Sequence, residues 1–365
     1  MRVLFAGGGT GGHINPAISI ADYIKSKDDT FEALFIGTKR GLEVKLVPKA
    51  GYKIEYIDII GINRKNPIKN IEVLKKFFKA KKKCAEIMKS FKPDMVVCTG
   101  GYVSGPVATV AHKLKIPSII HEQNVYPGLT VKGAQKYVNY VATSFEETKN
   151  HLKEKNKCVF TGNPVRYEIL TADKEKSREM LGISEKPFVL IFGGSLGAQK
   201  INENVVKILK RISDDDEIKL LFGTGERNYE EIKEKIKDME LSKNVMVVPY
   251  IDNMHTVMSA SDVVVSRAGA ITVSEIAVLN KPSILIPSPN VVRNHQEQNA
   301  RELERNGAAM VLCENELNPD SLYDKIMELC KNHKKREEMS LNLKKIAVPD
   351  ALEKLYELII KCTDK

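Results

Sequence analysis

Two glycine-rich runs are the places where this sequence could do chemistry. The first reads Gly7-Gly8-Gly9-Thr10-Gly11-Gly12-His13, with Pro16 just beyond it. The second reads Gly193-Gly194-Ser195-Leu196-Gly197-Ala198 and precedes a helical stretch at 200–210. Glycine allows tight backbone turns and close approach of a ligand. A helix N-terminus behind such a turn offers unpaired N–H groups and a positive dipole end, which suit a diphosphate. One run could simply turn a strand into a helix; two in matching positions predict anion binding. Gly7, Gly9 and Gly12 also satisfy GxGxxG, a dinucleotide pattern that wants an acid at the end of the second strand for the ribose hydroxyls. That strand ends Ile36-Gly37-Thr38-Lys39-Arg40, without an acid. Lys39 and Arg40 could instead hold the 2′-phosphate of NADP, so an NADP-dependent oxidoreductase stays open as an alternative.

These loops need a scaffold, and the rest of the chain supplies one. Short β-branched runs alternate with helical stretches, the pattern of parallel α/β sheets. Strands are expected at 2–6, 33–36, 95–98, 118–121 and 140–143, and again at 188–192, 219–222, 245–248, 263–265 and 283–286. Thr161-Gly162-Asn163-Pro164-Val165-Arg166 lies between the two sets as a linker. At about 150 residues per domain, 365 residues suggest two domains. The expectation is an α/β protein of two Rossmann-like domains facing a cleft, at 1–163 and 164–348. A C-terminal helix within 349–365, amphipathic at 351–360, could pack back on the first domain. Ligands of such folds bind outside the carboxyl ends of the strands.

Composition narrows the class. Hydrophobic residues at 42% and charged residues at 28% exclude a disordered or fibrous chain. No apolar run approaches the roughly 20 residues of a spanning helix. Residues 1–6 read as a first strand and are too short for a signal-peptide core. Cys84, Cys98, Cys158, Cys313, Cys330 and Cys362 form no CxxC pair, which fits reduced, mostly buried thiols in a cytoplasmic protein and no zinc site.

The formal net charge is +10, and the segment from Ile62 to Cys84 carries +8 of it, with nine basic residues against Glu72. Ile68, Ile71, Leu74, Phe77 and Phe78 recur at helical spacing there, with Asn70 as N-cap and Ala85 and Met88 extending the stripe. Such a basic amphipathic helix suits an anionic bilayer, at about 1 kcal/mol per basic residue near the surface. The plain alternative is a surface helix whose stripe is core and whose lysines are solvated. No aromatic stacking pattern or binding motif suggests nucleic acid.

Further motifs accompany the glycine runs: Gly41-Leu42-Glu43 with Leu46-Val47-Pro48, Gly61-Ile62 with Arg64, Gly100-Gly101-Tyr102-Val103-Ser104-Gly105-Pro106, and His121-Glu122-Gln123-Asn124. Gly162-Asn163-Pro164-Val165-Arg166, Arg267-Ala268-Gly269-Ala270-Ile271-Thr272-Val273-Ser274-Glu275 and Asn294-His295-Gln296 follow. With these, the sequence resembles the MurG glycosyltransferases along almost its whole length. The resemblance implies the GT-B fold and an inverting transfer of N-acetylglucosamine from UDP-GlcNAc. The acceptor would be the C4 hydroxyl of MurNAc-pentapeptide on undecaprenyl diphosphate, lipid I, and the product lipid II of peptidoglycan synthesis. It implies no metal-binding DxD site and no cofactor, and a peripheral enzyme on the cytoplasmic face of the bacterial membrane, which the 62–84 segment would dock.

Inverting transfer needs a base for the attacking hydroxyl and stabilisation of the leaving diphosphate. His13, at the first glycine loop, is the candidate base, since imidazole titrates near working pH; it could also only bind substrate or cap its helix. His121 beside Glu122 is a competing base. By resemblance, Ser195 and the N–H groups near Gly197 hold the UDP diphosphate, and Glu275, at the end of Ala270-Ile271-Thr272-Val273-Ser274, accepts the ribose hydroxyls. Ile251 pairs with uracil through its backbone, and Gln296, beside His295, holds sugar hydroxyls. Arg166 is a nucleotide contact or an interdomain salt bridge, while Thr10, Gly11, Gly12 and Asn124 meet the sugar end of the donor. Leu196 stands where many relatives carry Gln, which implies weaker or rearranged donor binding. Two other functions stay open: a GT-B enzyme for another lipid acceptor such as diacylglycerol, and a membrane-bound nucleotide sensor without turnover.

Overall fold

The computed structural model describes residues 1–61, 70–183, 185–194, 197–215 and 217–364. The chain divides into two compact units, Met1–Val165 with Pro349–Lys365, and Arg166–Val348.

The first unit contains β1 (Arg2–Gly7), α1 (Gly11–Lys27), β2 (Glu32–Gly37), α2 (Glu43–Lys49), β3 (Lys53–Tyr56) and α3 (Asn70–Phe91). It continues with β4 (Met95–Gly100), α4 (Ser104–Lys113), β5 (Ser118–Glu122), α5 (Leu129–Ala134), β6 (Tyr140–Thr143) and β7 (Cys158–Phe160). The strands form one sheet in the order β3-β2-β1-β4-β5-β6-β7, and all its pairings are parallel. Central strands of such a sheet are covered on both faces and must be apolar throughout. Val3 to Ala6 and Met95 to Cys98 accordingly have no exposed surface. One face packs on Ala80, Cys84, Ile87 and Met88 of α3 and on Val107, Ala108 and Ala111 of α4.

The second unit contains α6 (Tyr167–Leu170), α7 (Lys174–Met180), β8 (Phe188–Phe192), α8 (Gln199–Ser213), β9 (Lys219–Gly223), α9 (Glu226–Ile236) and β10 (Val245–Val248). After these come α10 (Met254–Ala260), β11 (Val263–Ser266), α11 (Ala270–Val278), β12 (Ser283–Leu285) and α12 (His295–Arg305). β13 (Met310–Val311), α13 (Pro319–Lys331) and α14 (His333–Ile346) complete it. Its parallel sheet runs β10-β9-β8-β11-β12-β13. α15 (Ala351–Thr363) then belongs to the first unit, where Tyr356 meets Tyr23 of α1 edge-on at 6.0 Å.

Both sheets share the doubly wound order, with β7 added at one edge of the first. The order reverses between β1 and β4 and between β8 and β11, and ligands of such sheets bind at that switch point. Both glycine runs leave the carboxyl end of a strand at a switch point. The ten expected strands are present; β3, β7 and β13 were not expected. All three lie at sheet edges, and β3 and β7 are half-exposed, so they lack the continuous apolar run that marks a central strand.

Candidate active site

At the first switch point, α1 begins at Gly11, which puts His13 in a helical first turn and not at a loop tip. Within the run only Gly9 is left-handed, at φ +91°. Gly8 is held by space: a Cβ there would lie 2.7 Å from Val103 Cγ2. The imidazole Nδ1 of His13 lies 3.2 Å from the Gly8 carbonyl oxygen. A carbonyl can only accept, so Nδ1 carries the proton and Nε2 keeps its lone pair. The Nε2 edge lies along Gly100, 3.0 Å from where a Cβ would stand, at a backbone φ of +105°. Burial lowers the His13 pKa below the usual imidazole value, partly offset by the Gly8 bond and the charge of Glu43. A neutral imidazole with one open nitrogen can take a proton. Thr10 is the N-cap of α1, and its hydroxyl lies 3.4 Å from Nδ1. Gly12 beside it is exposed and Gly11 half-buried.

Sequence reasoning gave no role to Glu43, although it quoted the motif that contains it. Its buried carboxylate accepts from the Thr38 N–H and hydroxyl, both at 2.9 Å, and from the Gly9 N–H at 3.0 Å. Gly37 leaves room for it: a Cβ there would lie 2.6 Å from Glu43 Cγ. The arrangement removes the NADP reading, because a carboxylate now occupies an N–H that a pyrophosphate would need. Arg40, proposed for the 2′-phosphate, faces Asp58 at 3.7 Å.

His121 does not qualify as a base. It is fully buried, with Nε2 3.0 Å from the Gly162 carbonyl and 3.1 Å from Ser144 Oγ, and Nδ1 3.0 Å from Gln123 Nε2. Burial holds its pKa down to about 4. Glu122 is a positioning group: it accepts from the Asn124 N–H at 3.0 Å, from the Asn124 amide at 3.1 Å and from the Gly128 N–H at 2.7 Å. Asn124 is thereby fixed just beyond β5.

At the second switch point, Gly194 and Gly197 are left-handed, at φ +94° and +75°, and the Gly197 N–H donates to the Gly194 carbonyl at 2.9 Å. Ser195 and Leu196 lie outside the described residues. α8 starts here without a side-chain cap or an acid in its first turn, and α11 does the same after Gly269. Glu275, in the second turn of α11, is only 6% exposed. Arg166 reaches it with Nε at 3.1 Å and Nη2 at 3.0 Å, both on Oε1. Burial raises the Glu275 pKa and Arg166 opposes the rise. Both residues belong to the second unit, so this ion pair is not an interdomain salt bridge.

The remaining donor-site candidates are anchored too. The buried Ile251 side chain packs on Gly223, where a Cβ would lie 2.9 Å from Cδ1, which fixes the backbone beyond β10. Gln296 Oε1 accepts from the Ser288 N–H at 2.9 Å, which leaves the amide nitrogen as its donor end. Arg267, also without an assigned role, donates to the Ile286 carbonyl at 3.1 Å and pairs with Glu314. It ties together the loops after β11, β12 and β13. Among the described residues no group of His, Cys, Asp or Glu side chains forms a metal site.

α3 divides the expected apolar stripe. Ile71, Leu74 and Phe78 are 61%, 57% and 60% exposed. Phe77 turns inward instead and packs against the core, beside Gly105, and Met88 is buried in that core. Phe77 is therefore an anchor and not part of the outer face. Lys75, Lys79, Lys82 and Lys83 are exposed, whereas Lys76 is bound to Asp58 at 2.9 Å. Ile68 lies outside the described residues.

Residues 3–143 match the Glycosyltransferase family 28 N-terminal domain, and residues 188–355 match the C-terminal domain of the same family. A curated relative from Acetivibrio thermocellus is 48% identical, covering 98% of this chain and 97% of its own length. It is named UDP-N-acetylglucosamine–N-acetylmuramyl-(pentapeptide) pyrophosphoryl-undecaprenol N-acetylglucosamine transferase. One from Ruminiclostridium cellulolyticum carries the same name at 47% identity, covering 98% of this chain and 99% of its own. The crystal structure of MurG from Acinetobacter baumannii superposes with a TM-score of 0.80 at 28% identity and covers 99% of each chain.

Proposed function

The chain belongs to the MurG family of GT-B glycosyltransferases, and from that membership we infer that it transfers N-acetylglucosamine from UDP-GlcNAc to lipid I, forming lipid II. The near-full-length likeness to relatives of one name carries this reading.

In the proposed mechanism the MurNAc C4 hydroxyl attacks the anomeric carbon opposite the leaving group. Its proton passes to His13 Nε2, its oxygen forms the new C–O bond, and the C1–O bond breaks with its electron pair going to UDP. The Nδ1 bond to Gly8 supports His13 in this role, because it fixes the tautomer that leaves Nε2 basic. Thr10, Gly11, Gly12 and Asn124 line the sugar end of the donor. The N–H groups at the start of α8, just beyond Gly197, with Ser195, take the developing charge on the diphosphate, as a positive helix end does. Glu275 accepts the ribose hydroxyls with Arg166 opposing the rise in its pKa, the Ile251 backbone meets uracil, and residues Ala270, Ile271, Thr272, Val273 and Ser274 present the start of α11 to the nucleotide. Gln296 donates to sugar hydroxyls.

Among the described residues no helix is long and apolar enough to cross a membrane. The protein docks peripherally on the anionic cytoplasmic face through Ile71, Leu74 and Phe78 of α3, ringed by lysines. Ile68, the remaining candidate for this role, lies outside the described residues. The deciding experiment supplies radiolabelled UDP-GlcNAc and a short-chain lipid I analogue, then separates the products. A labelled disaccharide lipid is expected; donor binding without transfer would overturn the acceptor assignment.

A further inference from the structure

One peptide group at the first switch point is gripped from both ends. Its N–H, belonging to Gly9, donates to Glu43 Oε2 at 3.0 Å. Its C=O, belonging to Gly8, accepts from His13 Nδ1 at 3.2 Å. A trans peptide holds these two groups on opposite edges, so carboxylate, peptide and imidazole form one chain of hydrogen bonds. We propose that Glu43 is a positioning residue for His13, acting through the Gly8–Gly9 peptide to hold the imidazole in the Nδ1–H tautomer with Nε2 open to the acceptor hydroxyl.

A charged acceptor on the N–H polarises the peptide and strengthens its carbonyl as an acceptor, since linked hydrogen bonds reinforce one another at low dielectric. The carboxylate is itself fixed, because Thr38 donates to its other oxygen twice, both times at 2.9 Å. At this loop the charge acting on His13 is that of Glu43. Tyr102, after β4, lies over Gly9 with its ring carbon 3.6 Å from the Cβ position, and is the other titratable side chain there among the described residues. Thr10 and Thr99 add neutral hydroxyls, the second donating to the His13 carbonyl at 2.7 Å. The carboxylate therefore does for this histidine, across one peptide, what a directly bonded acid does in a catalytic dyad.

The inference rests on His13 being the base, but its first test does not need turnover. Nitrogen-15 spectra of the intact labelled protein, with His13 identified by difference against His13→Gln, should show Nδ1 protonated and Nε2 bare at pH 8. A His13 protonated on Nε2 in the unaltered protein would overturn the proposal whether or not any variant folds. Glu43→Gln should then mix the two tautomers, lower kcat by about tenfold or more, and leave KM for UDP-GlcNAc within twofold. Loss of the charge should also move the acidic limb of the pH–rate profile to lower pH. Thr38→Val, which removes one of the two Thr38 bonds but leaves the Glu43 charge and its Gly9 bond in place, should shift tautomer and limb much less than Glu43→Gln does. Equal changes in both variants, or none in Glu43→Gln, would reduce Glu43 to loop packing. A fully active His13→Ala with the tautomer result intact would instead remove the base reading and leave the positioning one.

Discussion

Acidification from pH 7 to pH 4 should cost the first unit about 3 kcal/mol through His121 alone. Burial holds this side chain at a pKa of about 4, against a usual value of 6.5. Between those two values the unfolded chain carries a proton on His121 and the folded chain does not, so stability rises with pH across that window. The contribution is fully present above pH 6.5, falls as acid is added, and is exhausted below pH 4. A gap of about 2.5 pH units at about 1.4 kcal/mol each sets a ceiling of about 3.5 kcal/mol, of which about 3 is lost by pH 4, where the folded site is half protonated. Glu122 complicates the unaltered protein, because burial raises its pKa and it gains a proton on folding as the pH drops. The clean quantity is therefore the difference between the parent and His121→Gln, which keeps a donor toward the Gly162 carbonyl. Hydrogen exchange of the β4 and β5 amides, followed by mass spectrometry, reports opening of this unit without assuming that the whole chain unfolds in one step. The parent should be better protected at pH 7, and its advantage should shrink by about a hundredfold by pH 4. An advantage constant across that range would refute the argument and return His121 to consideration as a titrating catalytic group.

Two further outcomes separate the proposed ligand contacts from packing. Glu275→Ala should weaken UDP more than 2′,3′-dideoxy-UDP in calorimetry, by roughly tenfold for the lost charged hydrogen bonds, and equal losses would reject the ribose assignment. Ile71→Ser with Phe78→Ser should reduce co-sedimentation with anionic vesicles and spare UDP affinity, whereas Phe77→Ser should destabilise the first unit by about 1–3 kcal/mol; vesicle binding unchanged by the outer pair would sink the docking face.

The central strands and both glycine turns were legible because their residues answer to local rules. A strand covered on both faces, such as 95–98, must be a continuous apolar run, and the turn after it must hold glycine where φ is positive. The edge strands β3, β7 and β13 obey no such rule. Lys53-Ile54-Glu55-Tyr56 reads equally well as loop, and becomes a strand only because β2 offers it a free edge. The site was legible in its residue types and not in its pairings. Arg166 and Glu275 are 109 positions apart and each was named, yet nothing local joins them. Glu43 was passed over for the same reason: its partners Thr38 and Gly9 meet it only once α2 folds over the end of β2. On α3 the periodicity was right and the division was not. Phe77 and Phe78 are neighbours in sequence about 100° apart on the helix, so one can face the core while the other faces out.

The two glycine runs look alike in sequence, and their difference is electrostatic. Each leaves a central strand at the switch point of a doubly wound sheet, and each is followed by a helix whose first turn holds no acid. In the second unit the carboxylate of Glu275 lies in the second turn of α11, and Arg166 offsets its charge. In the first unit the carboxylate of Glu43 takes a loop N–H directly, with Thr38 as its other partner and, among the described residues, no cation among its hydrogen-bond donors. A negative charge a few ångströms from a second one in a poorly screened setting opposes it by several kcal/mol. The same charge beside an imidazole that must accept a proton favours the product of that transfer. On the proposed mechanism the uncapped start of α8 suits a leaving diphosphate, and the acid at the start of α2 makes the first run the better seat for a base.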